Sequence, residues 1–342
     1  MRWLSKNILT LIIILAYILI ICRLYSLFPQ KNTYPSKPIT IVVHSGAGSS
    51  VDLMAREIAE IASSYCPVPW VIENHTGSQG LKAMKQLDDA KADGYTLLAV
   101  TKSFLSTIAL NKQKFQNDNI TYLANMMLDP EALISHKESS INTIPDLIRL
   151  SREKEEGLSW MGPGTGSRDH LMAIKTMETL NIKGKWMDYK SSPQCILALL
   201  RNEAPVYVGN PADIKGKNKL KILAIAAKNR LAKHPDVPTF HEEGYQLFEY
   251  MWRGFAIKAK CPESTKTYLS NILFQVSNDI RWKNYCEQNE VFPDYQDEES
   301  FNKMVSQEME ETRHYLHEAN LLTSYNNLTN KTSVGLLILS LL

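Results

Sequence analysis

The sequence predicts an α/β fold in two lobes, on three observations. Short β-branched runs alternate with segments whose apolar residues recur at helical spacing, a β-α-β rhythm that implies parallel strands covered by helices. Runs such as ITIVV (39–43) and LLAV (97–100) are almost continuously apolar, as strands buried on both faces should be. The rhythm comes in two groups, and each group holds a glycine- and hydroxyl-rich turn between a strand and a helix. The 342 residues suffice for two lobes of ordinary size.

After a linker over 29–38, the first strand covers 39–43. A helix over about 51–65 follows, with Val51, Met54, Ile58 and Ile61 on one face. Ser49 and Asp52 have the form of a capping box, with Asp in place of Glu. A strand over 70–73 precedes a helix marked by Leu81, Met84, Leu87 and Ala90, which ends near Asp93-Gly94, and a strand over 95–100 completes the group. The second group opens with a helix over 144–152, with Pro145 in its first turn. Then come a strand over 158–161, a helix carrying Leu171, Ile174, Met177 and Leu180, a strand over 186–189 and a helix from Ser192-Pro193 to Leu200. Strands over 206–208 and 220–226 follow, and helical segments from Pro262 to about Leu321 close the chain.

Composition is globular, with 44% hydrophobic and 22% charged residues. A net charge of +2 and the lack of a basic block exclude a nucleic-acid partner. Arg2 and Lys6 precede an unbroken apolar run over 8–21, then Cys22 and Arg23. That run has the length of a secretory signal; carried on to residue 28 it becomes an N-terminal membrane anchor. Either reading exports the body, because the basic flank stays cytoplasmic. Ile21 is too bulky for a lipoprotein cleavage site before Cys22. The stretch 327–342, polar and then apolar, is too short to span a membrane. Cys66, Cys195, Cys261 and Cys286 allow three complete pairings, and their spacing does not suit zinc; buried free thiols or a single bridge are expected.

The turn HSGAGSS (44–50) opens a helix, where free N–H groups and the helix dipole favour an anion. Its bland role is a glycine turn with a serine cap. GPGTGSRDH (162–170) repeats the feature: Thr165 and Ser167 offer hydroxyls, and glycines such as Gly166 let backbone N–H groups approach a ligand. Arg168 there either grips a carboxylate with both prongs or is a solvated arginine at a helix start. In ENHTGSQG (73–80), Asn74 either caps its turn or meets the ligand. Ligands of open α/β sheets bind beyond the carboxyl ends of the strands, so two facing lobes put these turns in one cleft. Enzyme signatures fail. Val51 breaks G-x-G-x-x-G after Gly46 and Gly48, and G-x-S-x-G, H-E-x-x-H and a P-loop lysine are missing. Ser167, Asp169 and His170 crowd one helix start and diverge, and His314 with His317 is too small a set for a metal. The expectation is a protein with no catalytic residue, metal or cofactor.

Several landmarks then resemble a known family, the extracytoplasmic solute receptors of tripartite tricarboxylate transporters (the TctC/Bug family). YPSKPITIVV (34–43) is similar to its mature start, and GSSVD (48–52) with Ala55-Arg56 to its G-G-S-T-D-x-x-A-R. VIEN (71–74) with Gly77 and Gly80 resembles V-V-E-N-R-P-G-A-G-G, and DGYTLL (93–98) the segment of the same letters. GTGS (164–167) with His170-Leu171 resembles G-N-G-S-x-x-H-L. Tyr189-Lys190 with ALL (198–200) resembles Y-K-G…A-L-L, and PDVPT (235–239) with Gly244-Tyr245 resembles P-D-V-P-T…G-Y.

The resemblance implies a two-lobed type II periplasmic-binding fold with a ligand cleft between lobes joined by crossing strands. It implies residues 1–33 as signal or anchor plus linker, 34–133 and 250–322 as the first lobe, 134–249 as the second, and 323–342 as a tail outside the fold. It implies capture of a small di- or tricarboxylate and delivery to membrane permease subunits, with the tether, if kept, at residues 8–28. The ligand's contacts would be Ser45, Gly48, Ser49, Ser50, Asp52, Asn74, Gly77, Thr101, Ser103, Thr165, Gly166, Ser167 and Arg168. A signalling receptor, a copy that no longer binds, and an exported α/β enzyme for an organic acid are the alternatives. The chain departs from the family at His44-Ser45, Ser49, His75-Thr76, Pro163, Arg168 and Ser191, and has Gly209 where an acidic residue is common.

Overall fold

The computed structural model describes residues 17–18, 23, 34–111 and 119–322. The expectations for the N-terminal apolar run (save Tyr17, Ile18 and Arg23) and for the 323–342 tail lie outside the described residues. Among the described residues no helix is long and apolar enough to cross a membrane.

Strands β1 (Ile39–Val43), β2 (Trp70–Asn74) and β3 (Thr96–Thr101) pair in parallel with β1 in the middle. The connections are helices α1 (Ser50–Ala62) and α2 (Leu81–Asp89). Register aligns Val43 with Asn74 and with Ala99, so all three strands end at one edge of the sheet. A third helix, α3 (Ser103–Leu110), follows β3 at that edge. The chain then enters β4 (Ile120–Pro130), crosses at Glu131, and continues as β5 (Ala132–His136) in a second sheet.

Helix α4 (Ile144–Arg152) leads to β6 (Leu158–Pro163), and α5 (Arg168–Thr179) leads on to β7 (Gly184–Tyr189). After α6 (Ser192–Leu200) come β8 (Val206–Gly209) and β9 (Leu220–Ile225). The second sheet has the order β7-β6-β8-β5-β9. The chain returns through β10 (Tyr250–Lys258), then α7 (Glu263–Asn278), α8 (Ile280–Gln288), β11 (Phe292–Gln296) and α9 (Glu298–Glu318). The first sheet is thus β11-β4-β10-β3-β1-β2. The lobes are the two sheets with their helices.

Two expectations are corrected. The sheets are mixed rather than parallel, because β10 runs antiparallel to β3 and β4, and β5 runs antiparallel to β8 and β9. Strands that carry the chain from one sheet to the other enter against the direction of the β-α-β strands. The C-terminal region read as helical also contains β11, which pairs with β4 through Phe292 and Pro293. The crossings are tied together by backbone. Glu131 N–H donates to Glu249 C=O (2.9 Å), Glu249 N–H to Ala226 C=O (2.9 Å), and Ala226 N–H to Glu131 C=O (2.8 Å).

The core of the first lobe joins Val42, Leu98, Val100, Phe104 and Trp252 to Phe301, Val305, Met309 and Leu316 of α9. Leu171 of α5 belongs to the same cluster, so the last helix packs on the second lobe as well. The second lobe has its own core around Leu147, Trp160, Met172, Val208 and Phe240. Cys66, Cys195, Cys261 and Cys286 are all buried free thiols, one of the two outcomes expected from the sequence.

Candidate ligand cleft

The turn after β1 is built around a carboxylate. Ser49 caps α1 by accepting from Asp52 N–H, and the hydroxyls of Ser45 and Ser49 lie 2.5 Å apart. Gly48 takes φ +82°, a region that L side chains avoid, and so brings its N–H to Asp52 Oδ2 (2.8 Å). Arg56 grips the same carboxylate with both prongs at 2.9 and 3.0 Å, and Asn74 Nδ2 donates to Asp52 Oδ1 (2.9 Å) and to Ser45 C=O (2.8 Å). The Arg56 hydrogen bonds, then those of Asn74 and Gly48, hold the Asp52 carboxyl down at about 2 despite its burial. Asp52 thus shapes the turn and ties it to the end of β2.

What this turn offers outward is donors. Gly46, Ala47, Gly48 and Ser50 are exposed. The first-turn N–H groups of Ser50 and Val51 have no intrahelical acceptor. On the same edge, Thr101 Oγ1 and Ser103 Oγ share a hydrogen bond of 2.6 Å at the start of α3, and exposed Gly77 takes φ +122° in the turn after β2. His44 packs edge-on against Phe104 with centroids 4.7 Å apart. Burial drops its imidazole to about 4, so it is neutral.

The turn after β6 is built differently. Gly164 and Gly166 both have positive φ, and Ser167 caps α5 by accepting from His170 N–H (3.2 Å). Gly166 N–H is already spent on His170 Nδ1 (3.0 Å), and that ring stacks on Trp186. A Cβ on Gly166 would stand 2.6 Å from Leu321, so this glycine is enclosed where Gly48 is open. The N-terminus of α5 is occupied by the protein's own acid: the Asp169 carboxylate takes hydrogen bonds from its own N–H and from the Ser167 hydroxyl. Burial nonetheless lifts its pKa to about 7. Thr165 is exposed at the tip.

Arg168 points inward and is 3% exposed. It pairs with Glu249, the residue before β10, which also receives Lys102 (2.8 Å) and Lys175 (2.6 Å). Lys102 lies between Thr101 and Ser103 and reaches Glu308 of α9 at 3.1 Å; Lys175 reaches Glu311 at 2.7 Å. Trp252 Nε1 donates to the other Glu308 oxygen (2.5 Å). One buried carboxylate therefore holds a cation from a first-lobe turn and a cation from the second-lobe turn. This brings the two edges face to face.

Sequence reasoning missed Lys102, Glu249, Glu308 and Glu311. A signal existed for Lys102, the single charged residue in LLAVTKSFLSTIAL (97–110). The acids of α9 carried none, because the lysines that pair with them, Lys102 and Lys175, lie more than 100 residues away in the chain.

A family model, that of the tripartite tricarboxylate transporter family receptor, matches residues 54–321. The chain belongs to this family. A UPF0065 protein of Bordetella bronchiseptica is 28% identical to this receptor over 219 residues, which are 62% of this chain and 65% of that protein. The match thus spans a little under two thirds of that relative's length. In fold, the receptor matches a TctC solute binding protein from Polaromonas, solved without ligand, with a TM-score of 0.74 at 19% identity over 84% of this chain and 100% of that one. It also matches R. palustris Rpa4515, solved with adipate, with a TM-score of 0.72 at 20% identity over 84% of this chain and 98% of that one. The receptor's departure at Gly209 has a local cause. A Cβ there would meet the Tyr207 hydroxyl at 2.2 Å and Asp213 at 2.8 Å, and those two groups hydrogen-bond to each other (2.5 Å).

Proposed function

We propose that this receptor captures a small organic acid between its lobes outside the cytoplasm and delivers it to the permease subunits of a tripartite transporter, without catalysis. The observation that carries this reading is the donor-rich edge of the first sheet. The free first-turn N–H groups of α1, the paired hydroxyls of Ser45 with Ser49 and of Thr101 with Ser103, and the turn at Gly77 all open at one edge. The acid of that edge, Asp52, is fully engaged by Arg56, Gly48 and Asn74 and does not repel an anion. Adipate in the R. palustris protein is an acid of the class this edge would accept.

In this reading Ser45, Gly48, Ser49, Ser50, Asn74, Gly77, Thr101 and Ser103 receive the carboxylate, and Thr165, exposed at the tip of the α5 turn, closes over it from the second lobe, while Gly166 and Ser167 hold that turn in shape. Asp52 and Arg168 shape and brace the turns rather than touch the ligand. A ligand that bridges both lobes stabilises the closed arrangement by its differential affinity for it.

Thermal unfolding of the full chain against organic acids, sugars and phosphate tests the reading. An acid at a hundred times its dissociation constant should add about 2.7 kcal/mol and raise the midpoint. The Ser50→Ala, Ser103→Ala double variant should keep the unliganded midpoint and lose that rise. A rise with sugars alone would refute the carboxylate claim, and no rise with any compound would favour a copy that no longer binds.

A further inference from the structure

Glu131 is the one residue between β4 and β5, where the chain crosses from sheet to sheet. It is 1% exposed, and its Oε2 has no hydrogen-bond partner among the described residues. An unpartnered buried carboxylate is costly, and native proteins rarely keep one without use. Its electrostatic neighbours are Asp169, Asp129, Asp213 and Arg168. Each of these is already engaged. Asp129 is held by Arg253 (2.6 Å) and Asn210 (3.0 Å), Asp213 by Tyr207 and by Asn210 N–H (3.2 Å), and Arg168 by Glu249. Asp169, like Asp213, takes its hydrogen bonds from neutral groups, here the Ser167 hydroxyl and its own N–H, rather than from a cation.

The spot therefore gathers carboxyls from the crossing strand (Asp129, Glu131), the α5 turn (Asp169) and the segment after β8 (Asp213). The cations near them, Arg168, Arg253 and Lys217, are fewer. Asn210 Nδ2 bonds both Asp129 Oδ1 and Pro130 C=O at 3.0 Å, which fixes the end of β8 against the crossing. Asp169 packs over the end of β6, its Cβ 3.1 Å from where a Cβ on Gly162 would stand. The acids thus sit at the carboxyl ends of the second lobe's strands, on the side of the cleft opposite the donor-rich edge. Among the described residues no three acid, histidine or cysteine side chains are placed to hold a metal ion. An organic nitrogen suits the site better, since it brings both charge and N–H donors.

We propose that the captured acid also carries a positively charged nitrogen, and that Glu131 and Asp169 receive it where the crossing strand meets the second-lobe turn. This rests on the carboxylate-receptor reading above and narrows it to zwitterionic acids. Burial and the neighbouring carboxylates push the Glu131 carboxyl well above its usual range, a cost that an ammonium group would offset. A second carboxylate in the same place would meet the Asp169 carboxyl, which already fills the N-terminus of α5.

The test is calorimetric titration of the full chain with matched pairs that differ by one amine: succinate and aspartate, glutarate and glutamate, adipate and 2-aminoadipate. The amino member of the binding pair should be about tenfold tighter or more. Glu131→Gln should abolish that preference while leaving the affinity for the plain acid unchanged. Asp169→Asn supplies the same test should Glu131→Gln fail to fold, and the unmodified protein compares the pairs without any variant. Equal or tighter binding of the plain acid overturns this inference and leaves the carboxylate reading standing. A preference that survives in both variants also overturns it. Binding of no member of any pair removes the carboxylate reading, and this inference with it.

Discussion

The turn before α1 and the turn before α5 look alike on paper and do opposite things in the fold. Both are glycine-serine loops between a parallel strand and a helix, and in both a serine caps the helix and an acid lies two or three residues further on. In the first, Arg56 neutralises Asp52 and Asn74 helps pull it into the turn, so the helix N-terminus stays free. In the second, Arg168 turns away to Glu249, and Asp169 folds back into the N-terminus that the first turn leaves open. An arginine four residues after the acid and an arginine one residue before it give different sites. At (i, i+4) the two side chains meet on one helical face; neighbours in sequence point apart.

The comparison can be broken first at Glu249. Glu249→Gln removes the charge that Arg168, Lys102 and Lys175 share, and about 3 kcal/mol of stability should be lost in urea denaturation. A loss under about 1 kcal/mol would mean that the lobes are held by packing alone. Next come the glycines. Gly166→Ala and Gly48→Ala introduce the same positive-φ strain, φ +78° and +82°, but only the first meets an atom, Leu321. Losses of about 2 and about 1 kcal/mol respectively are expected by the same measurement. Equal losses would mean that the enclosure of the second turn is immaterial.

Acid titration sharpens the contrast, because the two acids act with opposite sign. Asp52 in the fold ionises at about 2, below its ordinary 3.8, so its contribution is full above pH 4 and is lost as pH falls from about 4 to about 2. Asp169 ionises at about 7, above the same ordinary value, so the fold favours its protonated form and loses stability as pH rises from about 4 to about 7. Stability followed against pH should lose the first slope in Asp52→Asn and the second in Asp169→Asn. The smallest effect is expected from Asn74→Ala, which cuts two hydrogen bonds of an exposed side chain. About 0.5–1 kcal/mol should go, with a larger relative drop in affinity for the acid, since the α1 turn would no longer be pinned to β2.

The β-α-β rhythm was legible because it is written locally. The run ITIVV and the stripe Val51, Met54, Ile58, Ile61 each declare their structure within a dozen residues. The crossing strands were not. LANMMLDP in β4 has neither alternation nor β-branched enrichment, and it is a strand because β10, more than 100 residues later, pairs along its length. Residue types also marked the hydroxyls and glycines of the cleft correctly as turn formers. They did not show that Arg168 would bury itself or that Glu131 would lack a partner. Both follow from which charges the two lobes bring together, and a charge on a helix or strand reads the same in sequence whether its partner is water or a distant side chain.

The four thiols of the body have a consequence for how this chain can be handled. Each is enclosed without a sulfur partner, and burial lifts those of Cys195 and Cys286 to about 12 and that of Cys261 to about 11. Thiolate is the form that attacks disulfides and alkylating agents, and Cys195, Cys261 and Cys286 seldom reach it while the fold is intact. The fold therefore shields these three thiols from exchange and alkylation. Alkylation of the native protein at these three positions should be slow in reducing and in oxidising buffer alike, and should become fast on unfolding.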